Sequence, residues 1–146
     1  NMLYLWIFGD NIEDRLGHLR YLFFYLACGA LAALAHVFAT VIGGDNLTTP
    51  MVGASGAISA VLGGYIVLHP RRRVRVLLLR ILMAVPAWVA IGVWFLFQLI
   101  NGIGAFGGGS QAGGVAYAAH VGGFAAGLVL IGLFSLGRRE RRAGSQ

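Results

Sequence analysis

Four long apolar runs constrain the fold of this chain more than any other feature of its sequence. They span Leu19–Ile42, Met51–His69, Leu77–Ile100 and Val115–Leu136. A transmembrane helix needs about 20 mainly apolar residues, and backbone groups in lipid must find hydrogen-bond partners within their own segment. The runs therefore predict an all-α fold, a polytopic membrane helix bundle with four full transmembrane helices.

The composition excludes an ordinary soluble domain. The chain has 146 residues, of which 58% are hydrophobic and 11% are charged, whereas soluble domains carry roughly 25% charged residues. The formal net charge is +6, all 11 basic residues are arginines, and most of them lie between or beside the apolar runs. This placement indicates a topology signal and contacts with lipid headgroups, so we predict no nucleic-acid partner.

The arginines also predict the orientation of the bundle. One cluster, Arg71–Arg75, follows the second apolar run, and another lies in the basic tail 138–146. Arginine is retained on the cytoplasmic side of a membrane, so both clusters are expected there. The loops 43–50 and 101–114 are then expected on the outer side.

The chain opens with a short apolar segment, "NMLYLWIF", which ends at Gly9 and Asp10. Eight residues cannot span a bilayer, and the segment lacks the charged start and cleavage site of a signal peptide. We interpret it as the second part of a helix. The predicted organisation is a transmembrane domain over 1–137, incomplete at its N-terminus, followed by the tail 138–146. We expect these 146 residues alone to insert poorly and to be inactive.

A serine and a histidine are predicted at similar depth in two different helices. Ser55 lies four residues after Met51, and His120 lies five residues after Val115. If both helices begin at the outer face, the two side chains lie about 6 Å and 7.5 Å below it, at 1.5 Å per residue. A serine hydroxyl becomes a nucleophile when a base takes its proton, and an ionisable side chain inside a membrane is a functional candidate.

Small residues determine whether this pair can meet. They recur at every fourth position of both helices, at Gly56, Ala60 and Gly64 and at Ala119, Gly123 and Gly127. Such ridges allow helix backbones to approach closely, which would bring Ser55 beside His120 with Gly56 and Gly123 near the contact. A serine in a small-residue ridge is also a common packing feature, hydrogen-bonded to its own turn. The residues alone leave both interpretations open.

Three segments resemble one family. "GASGA" at Gly53–Ala57 and "AHVGG" at Ala119–Gly123 resemble the two signature motifs of rhomboid intramembrane serine proteases. "NMLYLWIFGDNIEDRLG" resembles the second transmembrane helix of bacterial members and the segment after it. The resemblance covers nearly the whole chain in consistent order. It implies a serine-type endopeptidase of the bacterial inner membrane that hydrolyses peptide bonds of membrane-anchored proteins, with those substrates and the lipid bilayer as its partners.

The resemblance also implies residue roles. Ser55 matches the nucleophile and His120 the base of a Ser-His dyad, while Asn1 matches an asparagine that helps to stabilise the oxyanion. Ser59 departs from the pattern, since some members have an aromatic residue there that stacks on the catalytic histidine. The loop "GIGAFGGGSQAGG" matches a segment that caps the active site, which implies a mobile lid.

Other interpretations remain open from the sequence. His36 is a rival base at a similar depth, although a structural, hydrogen-bonded histidine is favoured. No pair of His, Cys, Asp or Glu residues has metal-ligand spacing, so we predict no metal and no cofactor. A rhomboid-like protein that binds transmembrane helices without cleaving them is the main alternative. A fragment of a small transporter, with the glycine ridges serving helix movement, is a third.

Overall fold

The computed structural model describes residues 1–44, 46, 48, 51–78, 81–106 and 116–136. Most of the predicted lid, the start of the fourth run at Val115 and the whole basic tail lie outside the described residues. The elements in chain order are α1 (Met2–Tyr4), a π-helical segment (Leu5–Gly9), α2 (Asp10–Leu16), α3 (His18–Gly43), α4 (Ser55–Leu68), β1 (Arg73–Leu78), β2 (Ile81–Pro86), α5 (Ala87–Phe106) and α6 (Tyr117–Ser135).

The N-terminal segment is helical well beyond its apolar part. Its charged residues form α2, and Gly17 separates α2 from α3 with φ 80°. Only glycine adopts this backbone conformation without strain, so the chain can turn sharply there. The Gly17 amide donates to the carbonyl of Glu13, and the Gly17 carbonyl accepts from the amide of Tyr21. One residue thus ends α2 and begins α3.

Helix α4 is the central element of the bundle. Every residue from Ala57 to Tyr65 is buried, mainly against α3 and α6. The helix ends at Leu68, as Pro70 predicts, because the residue before a proline is disfavoured in the helical region. Its start differs from the prediction. The segment before Ser55 is not helical, and Gly53 within it has φ 126°.

The predicted helix over Leu77–Ile100 is the main error in the fold. Two antiparallel strands, β1 and β2, pair from Arg73↔Pro86 to Leu78↔Ile81, and α5 begins only at Ala87. The fold is therefore a helical bundle with one hairpin rather than all-α. The bundle is otherwise helical as predicted, and α3 and α6 match their predicted runs within two residues at each end.

The sequence of β1 explains the hairpin. Arginine and valine alternate from Arg73 to Val76, which is the period of a strand, and branched valines favour extended backbone. Val74 is buried, Val76 packs against the core, and Arg73 and Arg75 are exposed on the other face.

Backbone and side-chain hydrogen bonds close the base of this hairpin. The amide of Ala87 donates to the carbonyl of Arg72 at 2.8 Å, and the amide of Trp88 donates to the carbonyl of Pro70 at 3.2 Å. The guanidinium of Arg72 donates to the side-chain oxygen of Asn11, which ties the hairpin to α2.

The outer surface of the bundle is that of a membrane protein. Among the described residues, α3 and α6 are long and apolar enough to cross a bilayer, while α4 and the described part of α5 are shorter apolar helices. Two of the four predicted spans therefore meet the length criterion. Large apolar side chains on the long helices face outward, including Phe38 and Val129. A soluble protein rarely exposes so much contiguous apolar surface, whereas lipid accommodates it.

Candidate active site

Ser55 and His120 form a direct hydrogen bond. The Oγ of Ser55 and the Nε2 of His120 are 2.8 Å apart, so the predicted contact is present. The basis of the prediction was partly wrong, because Ser55 is the first residue of α4 and His120 the fourth of α6. The pair therefore meets in the first turns of the two helices, whereas both residues were predicted to lie more than a full turn inside.

Two glycines bring the helices together, as predicted. A Cβ at Gly123 would overlap the carbonyl oxygen of Gly56, and a Cβ at Gly56 would lie 3.5 Å from the carbonyl oxygen of Ala119. The backbones of α4 and α6 are therefore in direct contact next to the site. Ser55 precedes Gly56, and His120 follows Ala119, so both side chains emerge at this crossing.

The other ring nitrogen of His120 has a partner that the sequence analysis missed. Its Nδ1 lies 2.8 Å from the Oε1 of Gln98 on α5, a side chain that is only 6% exposed. The signal was available in the sequence, since Gln98 is the one amide within "AWVAIGVWFLFQLI". A polar side chain in such a run is costly to bury unless it has a partner.

Aromatic side chains flank the histidine ring. Trp94 on α5 lies with its ring centroid 6.0 Å from that of His120, tilted by 37°, and Tyr117 approaches edge-on at 6.5 Å. Ser59, where an aromatic residue was expected from the resemblance, is buried and donates its hydroxyl to the carbonyl of Ser55 at 2.7 Å. The ring is thus supported from α5 and from its own helix.

The side chains of Asn1 and Ser55 both lie near Gly53. A Cβ placed on Gly53 would be 4.0 Å from the Nδ2 of Asn1 and 4.0 Å from the Oγ of Ser55. The Cβ position of Gly53 is therefore unfilled, with the amide and the hydroxyl both at its edge. The three residues predicted for the site come from separate segments of the chain, since Asn1 precedes α1, Ser55 begins α4 and His120 lies in α6.

The start of α4 contributes further donors. Its first described backbone hydrogen bond is from the amide of Ile58 to the carbonyl of Ala54, and no side chain caps the helix. The amides of Ser55, Gly56 and Ala57 precede that bond, and the first amides of a helix have no partner within it. Unpaired amides and the helix dipole make this end attractive to negative charge.

The other histidines stand apart from this hydrogen-bonded group. His18 pairs through Nδ1 with the Oε1 of Glu13 at 2.5 Å, at the corner between α2 and α3. His36 accepts a hydrogen bond from Thr40 through its backbone carbonyl. Within the described part of the chain its ring has no hydrogen bond, so the expected hydrogen-bonded role for this ring is not supported.

Comparisons with known proteins agree with the resemblance found in the sequence. A family model described as the Rhomboid domain matches residues 1–137. The mitochondrial Rhomboid protein 1 of Saccharomyces cerevisiae is 30% identical over 123 residues, which are 84% of this chain and 33% of the yeast protein. The chain thus spans about a third of the length of that relative. No solved structure matches it.

Proposed function

This chain belongs to the rhomboid family, and we propose that it is the catalytic part of an intramembrane serine endopeptidase that cuts membrane-anchored proteins. One observation carries the proposal, the 2.8 Å hydrogen bond between Ser55 Oγ and His120 Nε2. A nucleophile within hydrogen-bond reach of a base is the arrangement that serine-type acyl transfer requires.

The proposed reaction uses these two residues in turn. Nε2 of His120 takes the hydroxyl proton of Ser55 while Oγ attacks the carbonyl carbon of the scissile peptide bond. The histidine then gives this proton to the leaving nitrogen, the C–N bond breaks, and an acyl-enzyme on Ser55 remains. Water then gives a proton to His120 and attacks the acyl carbon, the bond from this carbon to Ser55 Oγ breaks, and His120 returns the proton to Oγ as the new carboxyl terminus is released.

The first turn of α4 and Asn1 are proposed to stabilise the oxyanion. Negative charge develops on the former carbonyl oxygen when Ser55 attacks, and preorganised donors lower the barrier to that step. The backbone amide of Ser55 and the neighbouring amides at the helix start supply fixed donors. The Nδ2 of Asn1, across the opening at Gly53, supplies a side-chain donor.

The position of the site supports a substrate that is held in the membrane. The dyad lies at helix ends next to the non-helical segment before α4, where Val52 is 91% exposed. We propose that water enters through this open segment to a centre whose surroundings are apolar. We propose a multi-pass protein of the bacterial inner membrane, with the Arg71–Arg75 segment in the cytoplasm and the dyad towards the outer face.

Cleavage of a membrane-anchored model substrate in proteoliposomes tests the proposal. In the full-length protein, Ser55→Ala and His120→Ala should each reduce cleavage by more than about 1,000-fold, and the double variant should be scarcely worse than either. His36→Ala is the matched control, a partly buried histidine of α3, and should retain most activity. Wild-type protein that binds the substrate helix but does not cleave it would instead establish the non-proteolytic binder.

A further inference from the structure

We propose that Gln98 is a positioning residue whose amide oxygen holds His120 in the Nδ1-protonated tautomer, leaving Nε2 free to take the proton of Ser55. The inference rests on the proposed function of the dyad and adds a third member to it. The residue acts through His120 and does not touch the substrate.

The geometry of the three side chains gives the hydrogen-bond chain a direction. Gln98 Oε1 lies 2.8 Å from Nδ1 of His120, and Nε2 of His120 lies 2.8 Å from Ser55 Oγ. A neutral imidazole has one donor nitrogen and one acceptor nitrogen, and an amide oxygen only accepts. Nδ1 must therefore carry the proton that it donates to Gln98, and Nε2 must accept from the serine hydroxyl. This is the protonation state that a general base requires.

The placement of Gln98 favours this role over simple packing. The side chain is almost fully buried on a mainly apolar helix, where an unpaired amide is expensive. Its hydrogen bond reaches across to α6 instead of back to its own helix. Asn101, one turn further along α5, shows the contrast, because its Nδ2 donates to the carbonyl of Phe97 in the same helix. An amide that required only a hydrogen-bond partner could find one in its own helix, as Asn101 does.

A neutral amide also suits a site surrounded by lipid. A carboxylate in this position would fix the tautomer as well, but it would place a permanent charge in an apolar bundle. The amide oxygen accepts from Nδ1–H both in the neutral histidine and in the imidazolium formed after Ser55 has given up its proton. Gln98 thus maintains the ring orientation through the whole proton transfer.

Three variants of the full-length protein separate positioning from packing. Gln98→Met keeps an unbranched chain of similar length but removes the hydrogen-bond acceptor. It should lower kcat by about 10- to 100-fold, which is typical for loss of a residue that orients a functional histidine, and should leave KM unchanged. Gln98→Glu presents a carboxyl oxygen at the same reach, in either protonation state. Its kcat should therefore be close to that of the wild type and well above that of Gln98→Met. Asn101→Leu, the control on the same helix, should remain near wild type.

Thermal unfolding midpoints in detergent identify any loss of folded protein among these variants. The tautomer itself is read by nitrogen NMR of protein labelled with ¹⁵N-histidine, with the His120 signals assigned by their absence in His120→Ala. The wild type should show a protonated Nδ1 and an unprotonated Nε2, and Gln98→Met should gain the opposite tautomer. This measurement on the wild type decides the question even if Gln98→Met fails to fold.

The outcomes distinguish the two proposals. A wild-type protein with His120 protonated at Nε2, or a folded Gln98→Met variant with unchanged kcat, overturns the positioning role alone. Cleavage that survives in Ser55→Ala overturns the proposed function, whatever Gln98 does.

Discussion

At the scale of single residues, the contact between α4 and α6 has no room for even one methyl group at its centre. A Cβ at Gly123 would overlap the carbonyl oxygen of Gly56, and a Cβ at Gly127 would overlap that of Ala60. Gly132, further along the same helix, has nothing within 4 Å of its Cβ position. Alanine should therefore be harmful at Gly123 and tolerated at Gly132, although both glycines belong to one helix.

Gly123→Ala is expected to push the helices apart, because backbone atoms cannot move aside as a flexible side chain can. We predict a loss of stability of about 1–3 kcal/mol, which is typical of overpacking, together with loss of cleavage as Ser55 and His120 separate. Gly132→Ala should match the wild type in both respects. Thermal unfolding in detergent and the cleavage assay measure the two effects. Equal behaviour of the two variants would show that the crossing is not tightly packed.

Single residues of the site differed in how readily the sequence revealed them. Ser55 and His120 could be predicted because a hydroxyl and an ionisable ring stand out in apolar runs and belong to recognisable motifs. Gln98 was missed because an amide does not titrate and lies in neither motif. Its partner became evident only when α5 and α6 were placed side by side, since the two residues are 22 positions apart.

At the scale of elements, the boundaries were harder to predict than the existence of the helices. A continuous apolar stretch cannot by itself be divided between strand and helix. The run from Leu77 therefore looked like one helix, although its first part contains the end of β1 and all of β2, and the helix starts after Pro86. The alternation of arginine and valine in β1 was a strand signal, but the arginines were interpreted only as a topology signal. Helix α4 starts late because Gly53 adopts a conformation that no helix contains.

An arginine at the start of α3 anchors the end of α6. The Nη1 of Arg20 donates to the carbonyl of Leu136 at 2.9 Å and to that of Phe134 at 3.4 Å. The last carbonyls of a helix lack partners within it, and a cation there also complements the helix dipole. One side chain thus joins α3 and α6, the two described helices that meet the length criterion for a membrane span.

Arg20→Met should therefore destabilise the bundle by about 1 kcal/mol, the typical contribution of such a bond. Arg73→Met is the matched control, since Arg73 is an exposed arginine of the hairpin. Thermal unfolding in detergent compares the two variants with the wild type. A control that is as destabilised as Arg20→Met would indicate that charge, rather than this contact, is responsible.

At the scale of the whole molecule, the bundle is built around α4, a helix rich in small residues. Helix α4 is enclosed by its neighbours, while α3, α5 and α6 direct large apolar side chains outward. Small residues allow this enclosure, because they let three helices approach one axis. The dyad lies at the end of α4 opposite to the hairpin, so Arg73 and Arg75 of β1 and the site occupy different ends of that helix.

This arrangement makes the orientation testable with cysteines at two described positions. We predict that an impermeant thiol reagent added to intact cells labels Val52→Cys, near the dyad, and does not label Arg73→Cys in the hairpin, because arginine is retained in the cytoplasm. The native Cys28 is fully buried and should give little background in the folded protein. Permeabilised cells provide the control, in which both positions should react. Labelling of Arg73→Cys alone in intact cells would invert the topology.

The central claim, that His120 activates Ser55 as a nucleophile, is tested most directly by covalent capture. The full-length protein is treated with a fluorophosphonate, and the modified residue is located by peptide mass spectrometry. We predict an adduct on Ser55 that disappears in Ser55→Ala and falls by at least about 100-fold in rate in His120→Ala, because the hydroxyl is a weak nucleophile without its base. Folded protein that forms no adduct on Ser55, or labelling that is unchanged in His120→Ala, would contradict the account.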